Sequence, residues 1–397
     1  MALAFGIPTP TLRLSATADT RCASHAELIR HVGHLTGDSQ PIGSDSTGIR
    51  PTRSPRVGGM LPRILGWVFV LGTAAVALVL VWPQAFGLQN QWVAAHVVAL
   101  RGAAAAGGVL ALIVFLLLAL VRPIRIFAFA MAAVFALFAA GNVAVLTARG
   151  FGASTAEPGP DSVTVLSWNT LGEVPEASTI ADLALERGAD IVVLPETTEP
   201  LGEEVAIAMR EGGSPMWVHT AAYDDIAKAR STTILISPDL GDYDVITPEV
   251  PGPPGNTNTV PSVVADPSDG DGPRIVAVHA VAPIRWELRN WRSDLDWLAE
   301  QCAGDDVIMA GDFNATVDHF AGHGIDDGDM GQCTDAAAQA GSAGLGTWPT
   351  DVPPFFGSPI DHVMATPNWR VEAFEVLEGY DDAGSDHRPI VSTLVAR

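Results

Sequence analysis

The sequence predicts an α/β domain that follows three transmembrane helices. Three observations predict this fold class: three uncharged apolar runs in the first 150 residues, an alternation of short apolar runs with polar helical stretches after residue 163, and polar side chains at the ends of those later runs. Strand–helix alternation over about 235 residues is typical of a layered domain with sheet inside and helices outside. The expected segments are a tail (1–60), a membrane region (61–148), a linker (149–162) and the α/β domain (163–397).

Each of the three apolar runs has the length of a membrane-spanning helix. About 20 apolar residues cross a bilayer as a helix, and none of the runs contains a charged side chain. A helix buried in a soluble core would be shorter and would carry a polar stripe. The runs are Ile64–Trp82, Gly102–Val121 with an extension back towards Trp92, and Ile126–Leu146.

The placement of arginine predicts how these helices are oriented. By the positive-inside rule the side richer in arginine is cytoplasmic, so the N-terminus is cytoplasmic and residues 151–397 lie outside the cytoplasm of a multi-pass membrane protein. Arg101 and Arg149 fall on the outer side and count against this orientation. The arginines on the inner side are Arg50, Arg53, Arg56, Arg63, Arg122 and Arg125.

The segments on either side of the membrane region have simpler compositions. Residues 1–60 are rich in Ser, Thr, Gly, Pro and Arg without periodicity, which predicts a disordered cytoplasmic tail. The first apolar run begins too late and is too long for a signal peptide. Translation from Met60 instead of Met1 is an alternative that N-terminal sequencing would test. Residues 149–162 are small and Pro-containing, as in a linker.

Charge divides the chain at the same place. Residues 1–150 contain 11 Arg and four acidic residues, whereas residues 151–397 contain 11 basic and 41 acidic residues. Nucleic-acid affinity comes largely from Lys and Arg contacts with phosphate, so this composition counts against a dedicated DNA binder without excluding one. The cysteines make no zinc-binding pattern. Cys302 and Cys333 could form a disulfide in an oxidising compartment or be two unrelated buried thiols.

Seven apolar runs predict the strands of the outer domain, and two polar stretches predict its helices. The helices are expected near Ser178–Arg187 and over 285–302, and Pro/Gly-rich loops over 248–256 and 349–359. The strands are expected over 163–169, 190–196, 232–237, 274–281, 306–314, 359–366 and 387–396.

Polar side chains recur where these strands meet loops. Asp312 and Asn314 are two residues apart on extended backbone and therefore face the same side. A single Asn or Asp at a strand end is usually only a turn former. The recurrence at six of the seven runs favours a shared site instead. Its candidate members are Asn169, Glu196, His279, Asp312, Asn314, Asp361, Asp386 and His387.

The residue types in this set point to one class of chemistry. Carboxylate and amide oxygens suit Mg²⁺, Mn²⁺ or Ca²⁺, and imidazoles add proton transfer and stabilisation of negative charge. A hard metal ion, an activated water and imidazole together describe hydrolysis of a phosphate ester. The sequence has no Walker-type glycine loop and no GxSxG motif that would support a nucleophilic serine.

Six short segments resemble a known family in order and spacing: SWN, LPET, VHAV, GDFNAT, IDHV and SDHRP. They are similar to the endonuclease/exonuclease/phosphatase family, which includes DNase I-like nucleases, abasic-site endonucleases, inositol polyphosphate phosphatases and neutral sphingomyelinases. The resemblance covers roughly residues 161–397. It implies a DNase I-like four-layer α/β sandwich, with two packed sheets flanked by helices.

The resemblance also implies roles for the metal ligands and for the attacking water. Glu196 would be the principal ligand of Mg²⁺ or Mn²⁺, with Asn169 close by and Asp386 as a further or water-mediated ligand. Asp312 would orient or deprotonate the water, and Asn314 would hold the phosphate or that water. Schemes with one metal ion and with two both remain open.

The two histidines of the set would act on the phosphate itself. His387, oriented by Asp361, would stabilise the developing charge or act as a base. His279 would be a second imidazole over the scissile phosphate and a candidate acid for the leaving group.

Other polar and aromatic residues have simpler interpretations. His362 is expected to point away from the site because it follows Asp361 on a strand. The loop residues His319 and His323 are expected to be exposed or at the rim, Asp326, Asp327 and Asp329 to be solvated, and Trp286, Trp291 and Trp297 to be packing residues. Lys228 and Arg230 are expected to be exposed, with contact to the phosphate as the alternative.

These inferences predict a membrane-anchored, metal-dependent phosphoesterase that acts outside the cytoplasm on phosphodiester or phosphomonoester bonds. Nucleic acid, a phospholipid headgroup and a small phosphodiester remain open as substrates, so nuclease and non-nuclease functions are both retained. The alternative is a non-catalytic membrane sensor or binding protein with a DNase I-like head. The absence of charge within the apolar runs counts against a transport function.

Overall fold

The computed structural model describes residues 60–155, 159, 161–223, 226–246 and 257–397. The predicted tail, apart from Met60, lies outside these residues. So do the predicted loop over 248–256 and four residues of the predicted linker (156–158 and 160).

Three helices that are long and apolar enough to cross a membrane precede the outer domain. Helix α1 spans Met60–Val81, a short α2 spans Trp92–Ala99, and α3 and α4 span Arg101–Leu118 and Arg125–Arg149. The predicted extension of the second run is therefore a separate helix, because Leu100 leaves helical geometry with φ −111° and ψ 49°.

Two six-stranded sheets form the centre of the outer domain in the described residues. The first has the strand order β11-β12-β1-β2-β4-β3 and the second the order β5-β6-β7-β8-β10-β9. The strands are β1 (Ser162–Ser167), β2 (Ile191–Pro195), β3 (Trp217–Ala222), β4 (Ser231–Ile236), β5 (Tyr243–Val245), β6 (Val263–Pro267), β7 (Arg274–His279), β8 (Val307–Asp312), β9 (Thr334–Asp335), β10 (Asp361–Ala365), β11 (Trp369–Val376) and β12 (Ile390–Ala396).

The sheets pack face to face, with helices on both outer faces. Alternation places Val163 and Val165 of β1 in the core between the sheets, whereas Leu166 packs outwards under α5 (Ala177–Arg187) and α6 (Glu199–Glu211). Helix α7 (Leu288–Gln301) covers the outer face of the second sheet, and a one-turn α8 spans Ala336–Gln339. The four-layer α/β sandwich implied by the resemblance is confirmed.

Five strands were not predicted. Strands β3 and β5 lie at sheet edges, where half-exposed residues such as those of Trp217–Ala222 give no continuous apolar run. The others missed are β6, β9 and β11.

The expectation that His319 is exposed or at the rim is wrong. Its ring is buried edge-on against Trp291, and its Nε2 lies 3.1 Å from the carbonyl oxygen of Ala95 in α2. The membrane-side helices cover this loop, which a polar sequence could not reveal. His323 is half-buried at the same contact, 3.4 Å from the amide of Asn90.

Most of the other simple interpretations hold. Trp291 and Trp297 are buried as packing residues, but the same expectation is wrong for Trp286, whose side chain is exposed. Asp326 and Asp327 are exposed, and Asp329 is half-buried and accepts a hydrogen bond from the Asp335 backbone N–H.

A buried charge cluster joins the helices to the outer domain. Asp318 accepts two 2.8 Å bonds from Arg101 at the start of α3 and one 2.7 Å contact from Arg149 at the end of α4. Gln84, which follows α1, donates to the same carboxylate, and Arg101 also donates to Asn142 of α4. The two arginines that counted against the predicted orientation are thus ion-paired structural residues.

A disulfide and two backbone hydrogen bonds also connect segments that are distant in the sequence. Cys302 and Cys333 form a disulfide with a Cα–Cα distance of 5.8 Å. At the start of the predicted linker, the N–H of Gly152 donates to the carbonyl of Gly341, and the carbonyl of Gly150 accepts from Gly344.

Candidate active site

The polar strand ends meet at one end of the sandwich. Strands β1 and β2 are parallel and lead into Asn169 and Glu196 at the same edge of the first sheet. In the second sheet, parallel β7 and β8 end at His279 and Asp312, which are register partners. Antiparallel β10 begins at Asp361, directly opposite Asp312. Each sheet therefore supplies part of one site.

Asn169 connects the two sheets. Its Nδ2 donates to Oδ2 of Asp312 at 3.0 Å and lies 3.3 Å from Oε1 of Glu196. Glu196 has a left-handed backbone with φ 61°, and its N–H donates to the carbonyl of Ser231 while its carbonyl accepts from the Thr170 hydroxyl. This unfavourable backbone geometry is typical of a residue held for function.

Asp312 and Asn314 form a closed turn. The N–H of Asn314 donates to Oδ1 of Asp312 at 2.8 Å, and its Nδ2 donates to Oδ2 at 3.1 Å and to the carbonyl of Ala280 at 2.9 Å. The φ of 47° at Asn314 is one that Asn tolerates better than most residues. Burial raises the pKa of the Asp312 carboxyl, against the opposing effect of the nearby His387 charge.

His387 lies among three carboxylates. Its Nδ1 is 2.8 Å from Oδ2 of Asp361, and its Nε2 is 3.9 Å from Oδ2 of Asp312 and 4.0 Å from Oδ1 of Asp386. Burial opposes the charged imidazole, but the carboxylates, Asp361 first, raise the pKa of His387 well above its usual value. The ring is therefore an imidazolium whose Nε2–H faces the centre of the site.

His279 is held in a different state. Burial lowers the pKa of this imidazole to about 3, so it is neutral at pH 7. The Thr232 hydroxyl donates to the carbonyl of Pro261 and so accepts from His279 Nδ1, at 3.3 Å. Nε2 is then the acceptor nitrogen. The two imidazoles consequently have opposite hydrogen-bonding character.

Residues 166–387 match the profile of the Endonuclease/Exonuclease/phosphatase family. The chain belongs to this family. Its members are hydrolases of phosphate esters, so the enzyme class expected from the sequence is confirmed. A search of curated proteins finds no match.

Solved structures similar to this family member have low sequence identity to it. An endonuclease/exonuclease/phosphatase from Beutenbergia cavernae is 19% identical, with 59% of this chain and 72% of that chain covered and a TM-score of 0.46. A humanized D. rerio TDP2 is 17% identical, with 59% and 99% covered and a TM-score of 0.45. A Bacteroides thetaiotaomicron mannosyl-6-phosphatase is 17% identical, with 59% and 99% covered and a TM-score of 0.42.

The site of this endonuclease/exonuclease/phosphatase member fits a divalent cation. Buried oxygens of Asp361 and Asp386 (Oδ1 of each) have no hydrogen-bond partner in the described part of the chain. The ion pairs of Asp312, Asp361 and Asp386 there all involve His387. One imidazolium leaves this set of carboxylates with excess negative charge. Carboxylate and amide oxygens in that setting suit a hard cation.

One group of His and Asp atoms in the described residues is close enough to hold a metal ion, and it differs from the ligands expected from the sequence. Single atoms of Asp312, Asp361 and His387 lie within 4.8 Å of one another. Metal binding is not needed to explain why these atoms lie close together, because Nδ1 of His387 is hydrogen-bonded to Asp361. An imidazolium cannot coordinate a metal ion. Among the ligands expected from the sequence, Asp386 keeps Oδ1 without a hydrogen bond in the described residues, whereas Oδ1 of Asn169 accepts from the N–H of Leu171 at 3.0 Å.

Sequence reasoning missed several residues that support the site. Ser385 donates to the carbonyl of Asn169 and accepts from the N–H of His387, and Trp348 donates to Oδ2 of Asp386 at 2.9 Å. Arg388 is buried and donates to the carbonyls of Gly346, Pro349, Thr350 and Val352. Ser385 and Arg388 lie within the SDHRP segment and could have been inferred from it, whereas nothing local to Trp348 signals its role.

The remaining candidates lie apart from the centre. His362 points away from Asp361 as expected, with Nδ1 2.9 Å from Oδ1 of Asp335 and Nε2 2.9 Å from the carbonyl of Ala315. Lys228 is exposed and pairs with Glu173 at 2.6 Å. Arg230 donates to the carbonyls of Asn258 and Thr259.

Proposed function

We propose that this protein is a membrane-anchored, divalent-metal-dependent phosphoesterase that acts outside the cytoplasm. One observation carries the proposal. His279 and Asp312 of the second sheet converge with Asn169, Glu196 and His387, which lie at strand ends of the first sheet. The site thus combines an imidazolium, an acceptor imidazole and a carboxylate. Such a set can bind a phosphate ester, orient a water and stabilise the negative charge that develops.

Each of the chain's own groups has a defined role in this proposal. Asp312 accepts a hydrogen bond from the attacking water and orients it, while Asn314 fixes the carboxylate through its N–H and Nδ2. His387 donates from Nε2 to a non-bridging phosphate oxygen. Asp361 holds the ring in that orientation and keeps it protonated. His279, which is neutral, accepts a hydrogen bond through Nε2 from a hydroxyl of the substrate and so positions it.

Glu196, Asn169 and Asp386 would hold the cation, with Mg²⁺ or Mn²⁺ as the best fit to their oxygens. When bound, the ion polarises the phosphate and lowers the pKa of water. Because Asn169 also donates to Asp312, binding of the cation and orientation of the water would depend on one amide.

Two observations support the location. The outer-side arginines Arg101 and Arg149 are paired with Asp318 of the outer domain. Among the described arginines near helix ends, those not bound to the outer domain are therefore the predicted inner-side ones, Arg63, Arg122 and Arg125. The Cys302–Cys333 disulfide is typical of an oxidising compartment.

The charge of residues 151–397 favours a substrate with few phosphates over a long polyanion, because 41 acidic residues oppose 11 basic ones. A small phosphodiester, a phosphomonoester or a phospholipid headgroup meets this condition. Nucleic acid remains a substrate to be tested.

The test uses the full chain in lipid nanodiscs with Mg²⁺ or Mn²⁺. Bis-p-nitrophenyl phosphate, p-nitrophenyl phosphate, plasmid DNA, RNA and headgroup-labelled phospholipids are assayed in parallel. We expect turnover of at least one substrate, its loss with EDTA, and a loss of about a hundredfold or more in Asp312→Asn.

The matched control is Asp326→Asn, the same chemical change at an exposed acid outside the site. It should keep the activity of the native chain. Turnover that persists in Asp312→Asn or in EDTA would contradict the proposal.

A further inference from the structure

Three loops at the active site reach the outer ends of the helices. The loop after Asn314 carries Asp318 and His319, which contact Arg101 and Ala95. The loop that holds Asp386 through Trp348 continues to Phe355. The carbonyl oxygen of Phe355 lies so close to Gly102 of α3 that a Cβ added to this glycine would be only 1.8 Å from it.

The third loop follows His279. Its Arg285 guanidinium lies 5.8 Å from the centre of the Trp92 ring, at the start of α2. Farther along, Arg292 donates to the carbonyl of Asn90. The loops that follow His279 and Asn314, and the one that holds Asp386, are therefore all seated on the helix ends.

The active site is consequently close to the level at which the helices end. Asp318 comes four positions after Asn314, and an extended chain covers at most about 14 Å over that length. Asp318 itself is bonded to the first residue of α3 and the last residue of α4. A site this near the helix ends lies within reach of the headgroup layer.

Exposed aromatic side chains surround the same level. Three come from the membrane region, one follows α4, and two come from the outer domain itself, in the turn Pro354–Phe356. Aromatic side chains at helix ends are typical of the membrane–water interface. The six are Trp82, Phe86, Trp92, Phe151, Phe355 and Phe356.

The outer domain adds a depression to this surface. A cavity of about 750 Å³ lies between Phe151, which follows α4, and Phe355. Leu345, Val352 and Pro353 also line it. Phe355 and Phe356 are in ring contact at 4.5 Å between centroids, yet both remain open to solvent. The carboxylates of Asp351, Glu378 and Asp381 also line the cavity, so the apolar part of this surface is its aromatic rim. An exposed aromatic rim beside the ends of spanning helices fits the membrane–water interface.

We infer that the outer domain has its own bilayer-contact surface, formed by Phe355 and Phe356 beside Phe151, which seats the rim of the active site on the outer leaflet. The occupant of this surface is lipid headgroup and upper acyl chain. The inference rests on the membrane embedding that is part of the proposed function. It goes further, because a tethered domain need not touch the bilayer.

Depth-dependent quenching in the full chain tests this surface. In a Cys22→Ser background under non-reducing conditions, one cysteine is introduced at a time by Phe356→Cys, Leu71→Cys or Trp217→Cys and labelled with an NBD fluorophore. Leu71 is exposed in the middle of α1, and Trp217 is an exposed aromatic on the edge strand β3. Vesicles contain lipids with the doxyl quencher at carbon 5 or carbon 12.

We expect the 356 probe to be quenched by the shallow quencher at least threefold more than the 217 probe, and the 71 probe to be quenched mainly by the deep quencher. Quenching at 71 with equal, weak quenching at 356 and 217 would refute the contact surface and leave the membrane anchor intact. Absence of quenching at 71 would overturn the anchor and the contact surface together. None of these readouts requires activity, so they are independent of whether the site hydrolyses phosphate esters. Phe355→Cys serves as a second site if the 356 variant fails to fold.

Discussion

Asp318→Asn should weaken the attachment of the outer domain to its helices more than any single surface change. Burial alone would raise the pKa of Asp318, but hydrogen bonds from Arg101 and the charge of Arg149 lower it to about 2. The ordinary value is 3.8, and each pKa unit is worth about 1.4 kcal/mol, so the charged form contributes roughly 2–3 kcal/mol. Removing one partner of a buried ion pair typically costs about 3–5 kcal/mol, since the other charge stays buried.

The assay is thermal unfolding of the full chain in nanodiscs at pH 7 and one scan rate. A loss of about 3 kcal/mol should lower the midpoint by roughly 6–12 °C, at about 2–4 °C per kcal/mol for a domain of this size. The matched control is Asp266→Asn, which removes the partner of Arg274. Both side chains of that pair are more than a third exposed, so a change below about 1 kcal/mol is expected.

The pH dependence gives a second readout with a defined sign. Because the folded pKa of Asp318 is depressed, its stabilisation is present above pH 4 and is lost as pH falls towards 2. The gap between native chain and variant should therefore close at low pH. Equal midpoints for Asp318→Asn and Asp266→Asn at pH 7 would refute the reasoning, because they would mean that the charge cluster contributes no more than an exposed pair.

Three further changes test other parts of the molecule. Asp361→Asn should lower kcat about a hundredfold or more with little change in KM, because His387 loses the carboxylate that orients it and keeps it charged. An equal loss of kcat in the surface variant Asp351→Asn would contradict this role. Arg388→Lys should lower both the unfolding midpoint and kcat, since one ammonium cannot replace a planar guanidinium that donates to four carbonyls. Arg370→Lys, on the surface, should change neither quantity. Replacing Cys302 and Cys333 together by Ala should lower the free energy of unfolding by roughly 3–4 kcal/mol, because the disulfide closes a loop of 31 residues. The measurement is the unfolding midpoint. Reducing agent should lower the midpoint of the native chain by the same amount and leave that of the variant unchanged.

The sequence allowed the site to be predicted better than its surroundings. Groups such as Asn169 and Asp312 follow buried strands, and parallel strands bring their ends to one edge. Apolar length alone identified the three long helices. Local pattern carries this information because burial and alternation are themselves local.

What could not be predicted depends on contacts between distant segments. His319 is buried only because α2 lies over its loop, some 220 residues away in sequence. Trp348 contributes through one hydrogen bond to Asp386, 38 residues away. Strand β3 has no apolar run because one of its faces is open at the edge of a sheet. A single sequence has no signal for any of these contacts.

The division of the site between two sheets makes its dimensions a property of the hydrophobic core. No backbone hydrogen bond of either sheet holds Asn169 near Asp312; the apolar layer between the sheets does, with the small side chains Ala277 and Ala310 on one sheet opposite the larger Val165 and Val193 on the other. Ala310 is two residues from Asp312. A larger side chain there would lift one half of the site away from the other without altering a single polar group. The spacing between Asn169 and Glu196 on one sheet and His279 and Asp312 on the other is thus set by methyl groups in the core.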